Sequence, residues 1–141
     1  MEKYEFLDHE ADIGIRSWGE TVEEAFENGA TALFSIMVEM DAINPLETLS
    51  VTAEADDLDS LFVEWLNELI AQKDIERMVF STFSVTIKKW NETFFLVGTA
   101  TGEPLDQEKH GIKTEVKAAT YYGLKSGREK GHHFFQCVLD I

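Results

Sequence analysis

The sequence is poor in the features on which most catalytic and nucleic-acid-binding proteins rest. A single cysteine, Cys137, in 141 residues leaves no partner for an intramolecular disulfide, so the fold must stand on its own core, and a reducing compartment fits best. Its neighbours Phe134, Phe135, Val138 and Leu139 are apolar, which points to a buried thiol and not to a nucleophile. Two prolines and nine glycines exclude a collagen-like or low-complexity chain. Only 12 Lys and Arg stand against 27 Asp and Glu, a net charge of −15. A phosphate-binding surface needs the opposite sign over most of its footprint, so autonomous, non-specific nucleic-acid binding is disfavoured. No apolar run approaches the ~18 residues of a membrane span, and the start Met1-Glu2-Lys3-Tyr4-Glu5 lacks the basic-then-apolar leader of a secreted chain. The expected location is the cytoplasm, with no membrane partner. A Gly-rich phosphate loop, Gly-x-Gly-x-x-Gly, His-Glu-x-x-His and paired Cys-x-x-Cys are all missing, and no catalytic residue is assigned.

What is present suffices for one globular domain, taken as residues 1–141. The chain is 44% hydrophobic and 11% aromatic, enough apolar surface for a sizeable core. Charge is unevenly spread. Residues 1–76 hold 20 acidic and 3 basic side chains, whereas residues 109–130 hold 6 basic and 2 acidic. Most of the carboxylates serve to solvate helix faces, and their sum attracts cations or a basic partner.

Two stretches carry a helical period. Thr21 and Glu24 have capping-box spacing, and Val22, Ala25, Phe26, Ala30, Leu33 and Met37 then recur on one face, which predicts a helix over about 22–39. Asp57 is a good N-cap for a second helix. Leu58, Leu61, Phe62, Trp65, Leu66, Leu69 and Ile70 form its stripe, with Glu64, Asn67 and Glu68 on the other side. Elsewhere the period is two. Residues 83–87 alternate, Trp90-Asn91-Glu92 reads as a turn, and Thr93–Thr101 completes a hairpin. Further strands are expected at Ile13–Trp18, Leu49–Ala55, Ile112–Lys125 and His133–Asp140. Gly102, Pro104 and Gly111 mark a loop, and Lys125-Ser126-Gly127-Arg128 a polar turn. The expected class is α+β, with two helices packed on one face of a mostly antiparallel β-sheet.

Three clusters carry candidate chemistry. Asp8, His9, Glu10 and Asp12 crowd ahead of the strand at Ile13 and could supply hard oxygen ligands to a divalent cation; a solvated acidic loop would contain the same letters. Asp140 ends the last strand, with the α-carboxylate of Ile141 one residue on. Lys117 stands in Glu115-Val116-Lys117-Ala118-Ala119-Thr120-Tyr121-Tyr122, where alternation puts Lys117, Ala119 and Tyr121 on one face. Adjacent His132 and His133 would point to opposite faces of a strand, poor geometry for joint metal binding.

Together these clusters resemble the archease family, small acidic proteins that assist the RtcB-type RNA ligase in tRNA splicing and RNA repair. The likeness runs through Tyr4–Gly14, Trp18-Gly19, Thr21–Phe26, Asp57-Leu58, Glu64–Leu69, Lys109-His110, Glu115–Tyr121 and Leu139-Asp140-Ile141. The resemblance implies an accessory, non-catalytic protein that promotes guanylylation of the ligase and its multiple turnover, meeting tRNA indirectly through that enzyme. It maps a metal site onto Asp12 and Asp140, beside Ile141, and makes Lys117 a contact to phosphate or to the partner. Asp8 and His9 stand as outer support. The implied cation is divalent, Ca²⁺ foremost, with Mg²⁺ or Mn²⁺ as alternatives, and the expected state is a monomer or weak oligomer. Two positions depart from the family's usual pattern: Glu10 replaces Thr, and Tyr122 replaces His. The alternative reading is a chaperone or modulator of tRNA-modifying enzymes that touches tRNA through Lys109, Lys113, Lys117, Lys125, Arg128 and Lys130. A third is a metal-dependent hydrolase acting through Asp8, Asp12 and Asp140.

Overall fold

The computed structural model describes residues 2–9 and 11–141, apart from the side chain of His9. Glu10 therefore lies outside the described residues. In order, the chain forms β1 (Tyr4–His9), β2 (Asp12–Gly19), α1 (Val22–Met37), a 3-10 turn (Met40–Ala42), β3 (Glu47–Ala55), α2 (Leu58–Glu76), β4 (Met78–Trp90), β5 (Thr93–Pro104), α3 (Gln107–His110), β6 (Ala118–Glu129) and β7 (His132–Asp140).

Both long helices start where their caps predict. The Thr21 hydroxyl accepts the Glu24 N–H at 3.0 Å, while the Glu24 carboxylate reaches one residue further back than a capping box requires, to the Glu20 N–H at 3.0 Å. Helix α1 stops at Met37, two residues early, because Val38 turns extended with its N–H on Phe34 O. The Asp57 carboxylate accepts the Ser60 N–H at 2.7 Å, and α2 closes at Arg77 in the left-handed region. Both helices lay their apolar stripes into one core, in which Phe26, Phe62 and Phe135 meet with ring centroids 5.0–5.6 Å apart. Each such buried ring contributes about 1.5–3 kcal/mol relative to exposure. Trp65 joins them fully buried, its indole N–H satisfied by Phe26 O at 3.0 Å.

The strands pair antiparallel throughout and divide into two sheets, ordered β1-β2-β7-β6 and β3-β5-β4. Helix α1 packs on β2 and β4, and α2 on β3 and β6, so the helices join the sheets. The hairpin at Trp90–Thr93 turns through Asn91 and Glu92, both at positive φ, as a two-residue type I′ connection demands.

Four local readings differ from the structure. The acidic stretch Leu7-Asp8-His9 is the end of edge strand β1, paired with β2, and not a loop. Gly102 to Pro104 belong to β5, because Gly102 lets Val79 O approach to 1.8 Å from where a Cβ would stand. Strand β6 begins only at Ala118. Lys125–Arg128 are paired with β7, and the turn falls at Lys130-Gly131 with φ 52° and 82°. No helix among the described residues is long and apolar enough to cross a membrane.

Candidate functional site

The ends of three strands bring together residues far apart in sequence. Asp12 opens β2 opposite His9, and the next residue, Ile13, pairs with Leu139 of β7. Asp12 therefore lies beside the strand end that carries Asp140. Asp140 in turn pairs with Ala118 of β6, and its carbonyl accepts the Lys117 N–H at 2.8 Å. Ile15 and Cys137 face the helices, fully buried; counting three residues along each strand puts Asp12 and Asp140 on the opposite face. Asp12 is half-buried, while Asp140 and the Lys117 side chain are exposed. Asp8, also exposed, pairs with Ile13 and alternates onto the other face from Asp12. Ile141 packs its side chain against the core. Among the described residues, no group of three or more His, Cys, Asp or Glu is arranged to hold a metal ion; the carboxylate side chains of Asp12 and Asp140 stand on neighbouring strand ends.

This end of the sheet is braced by contacts that the sequence did not reveal. The Asn67 amide of α2 grips the backbone of Ala119 from both sides, Nδ2 donating to Ala119 O at 3.0 Å and Oδ1 accepting the Ala119 N–H at 2.8 Å. The only available signal was Asn itself, a poor helix former placed in mid-helix. Tyr121 donates its hydroxyl to the Glu64 carboxylate, and that bond, with burial, pushes the phenol up to about 12. The expected alternation then breaks. Thr120 pairs with Val138 but Lys125 with Gln136, leaving Tyr121 to Leu124 bulged opposite Cys137 alone, with Gly123 at φ 68°. Tyr121 and Tyr122 consequently both face outward, 53% and 66% exposed.

The basic segment does not form one surface. Lys109 is bound to Glu103 at 2.8 Å and Lys113 to Glu39 at 3.2 Å, whereas Lys117, Lys125, Arg128 and Lys130 follow the line of β6. Glu103 and His110 make a second polar cluster that sequence reasoning missed. Glu103 is 7% exposed and His110 fully buried. The Glu103 carboxylate accepts from His110 Nε2 at 3.0 Å, from Lys109 Nζ and from the Asn44 N–H at 2.7 Å, which holds it down at about 2, chiefly through His110. His110 Nδ1 meanwhile accepts the Asp106 N–H at 2.9 Å. Both ring nitrogens are thus occupied in tying the Asn44 loop, β5 and α3 together, and none is left for catalysis. Cys137, buried as expected, has its thiol pushed up to about 12 by desolvation.

Residues 4–141 match the archease protein family. The chain belongs to the archease family. It is 40% identical to the protein archease of Sulfurisphaera tokodaii and 43% identical to that of Pyrococcus abyssi, in both cases over the whole of both chains. Its archease fold superimposes on the solution structure of Methanobacterium thermoautotrophicum protein 1598 with a TM-score of 0.88 at 35% identity, covering each chain in full. An archease from Thermotoga maritima, described as a possible chaperone, shares the fold with a TM-score of 0.61 at 21% identity over 96% of this chain and 94% of the other.

Proposed function

We propose that this archease is a non-catalytic accessory protein of an RtcB-type RNA ligase, promoting guanylylation of the ligase and its repeated turnover. The observation that carries the reading is the convergence of Asp12, Asp140 and Lys117 at one end of the four-stranded sheet. The donor chemistry fits a hard divalent cation, Ca²⁺ or else Mg²⁺ or Mn²⁺: carboxylate oxygens from Asp12 and Asp140, and the terminal carboxylate of Ile141, with water or ligase groups completing the shell. When bound, the ion supplies positive charge for nucleotide phosphates. Asp12 and Asp140 hold and orient it, and Lys117, whose backbone is fixed on Asp140, presents an ammonium to phosphate or to a ligase carboxylate. The acidic excess of residues 1–76 steers this tip into a basic, RNA-binding groove.

The dispersal of Lys109 and Lys113 into ion pairs weighs against the alternative of direct tRNA contact through the whole basic segment. The test is ligation by the cognate RtcB-type ligase with and without this protein. Stimulated guanylylation and turnover beyond one ligation per enzyme are expected. A ligase equally active without it would refute the reading.

A further inference from the structure

The stretch of β6 beside the site is short. Only Ala118, Ala119 and Thr120 pair with β7, opposite Asp140, Leu139 and Val138, and pairing resumes at Lys125 after the bulge. Residues 112–117 ahead of it form neither helix nor strand, and β6 is an edge strand of its sheet. Three pairs on one side return too few net hydrogen bonds to offset the entropy of ordering such a segment. Lys117 stands at its start, exposed, with Val116 buried in the core before it.

Helix α2 supplies the missing neighbour. An antiparallel strand offers a residue of its partner both an acceptor and a donor. The Asn67 amide offers Ala119 the same two, Oδ1 to the N–H at 2.8 Å and Nδ2 to the carbonyl at 3.0 Å. Glu64, one turn earlier on α2, accepts the Tyr121 hydroxyl, so the helix holds the residues on either side of Thr120. The grip has a firm base, since Trp65, Leu66 and Leu69 around Asn67 are fully buried.

We propose that Asn67 is a positioning residue for the accessory activity: by standing in for the absent strand beside Ala119, it sets where the Lys117 ammonium lies relative to Asp140. The role rests on the ligase reading. Asn67 acts through the backbone. The Lys117 N–H is bonded to Asp140 O at 2.8 Å, two residues before the gripped one, while the pairing of Leu139 with Ile13 keeps the end of β7 in place. Without the amide, the Ala119 N–H and carbonyl turn to water, the three pairs open, and Lys117 loses its bearing on Asp140.

A double-mutant cycle in the cognate RtcB-type ligase assay tests this, with circular dichroism and melting confirming that each variant is folded. Asn67→Ala should lower the maximal stimulated guanylylation rate about tenfold. The concentration giving half of that maximum should stay within about twofold, because the carboxylates that steer the encounter are untouched. In a Lys117→Ala background the same substitution should cost nothing further, since a residue that acts through Lys117 has nothing left to place. A merely structural loss would multiply equally in both backgrounds. Asn67→Asp keeps the shape and the acceptor but removes the donor; it should show the same dependence on Lys117, and it stands in for the alanine variant if that one does not fold. Amide exchange gives a result independent of the ligase: the Lys117 N–H should exchange faster in either Asn67 variant. Equal losses in both backgrounds, full stimulation by Asn67→Ala or by Lys117→Ala, a change confined to the half-saturating concentration, or unchanged Lys117 exchange overturns the proposal and leaves the ligase reading standing. A parent protein that gives no stimulation overturns the ligase reading and this role together.

Discussion

Replacing Asn67 by Ala removes both hydrogen bonds that hold Ala119 to α2. Ala119 is 4% exposed, so water cannot readily replace either partner at its backbone. Two net hydrogen bonds at about 1 kcal/mol each, with part of the desolvation cost of the groups left unpaired, give a loss of about 2–3 kcal/mol. With an unfolding entropy near 2.1 cal/mol/K per residue, a chain of this length should melt about 7–10 °C lower. The effect should be local as well as global. Ala119 is the second residue of β6, two residues after Lys117, so its amide should lose hydrogen-exchange protection before the β2–β7 pairs do. Calorimetry and amide exchange measure both quantities. A melting point within 2 °C of the parent, with Ala119 protection unchanged, would refute the view that Asn67 fixes this strand.

Other consequences are as specific. The Glu103 carboxyl is held at about 2 by His110, Lys109 and the Asn44 N–H, below its unfolded value near 4.3, so its contribution to stability is complete above that value and is lost as pH falls toward 2. Chemical denaturation of Glu103→Gln against the parent should show a gap that is widest above pH 4.5 and narrows toward pH 2; a gap constant with pH would contradict this. Cys137, fully buried with its thiol near 12, should resist a thiol reagent in the native protein and react at the rate of unfolding; prompt labelling would place it elsewhere. Gly102→Ala would set a methyl 1.8 Å from Val79 O, which demands a backbone shift in β4 or β5 and should cost about 3 kcal/mol or more, read as a loss in denaturant midpoint. An unchanged midpoint would show the sheet more yielding there than its register implies.

The parts of the fold that sequence conveyed are those governed by local chemistry. Thr21 and Asp57 cap helices because their oxygens meet a backbone N–H three residues on, and Asn91-Glu92 turns a hairpin by itself. Strand β1 escaped because an edge strand with one polar margin lets Glu5, Asp8 and His9 interrupt its alternation. Lys125-Ser126-Gly127-Arg128 has the letters of a turn, yet Gly127 is small because the Phe134 ring lies 3.2 Å from where its Cβ would stand. The division into two sheets depends on which distant strands pair, and nothing in one strand's letters encodes that. At the site, Asp12, Asp140 and Lys117 stood out in three separate clusters that only the family resemblance joined, since the residues meet only through the β2–β7 and β6–β7 pairings. Asn67, Glu64 and Glu103 act across the tertiary structure, and each reads in sequence as an ordinary polar residue.

The central claim is that the carboxylates gathered at the sheet end act on a partner ligase. Its most direct test is multiple-turnover RNA ligation by the cognate RtcB-type enzyme with Asp12→Ala and Asp140→Ala, each shown by circular dichroism and melting to be folded. Asp140 is exposed and Asp12 half-buried, so neither substitution should cost more than about 1 kcal/mol of stability. The account predicts that both variants lose at least tenfold in stimulated guanylylation and turnover. Stimulation equal to that of the parent would contradict it.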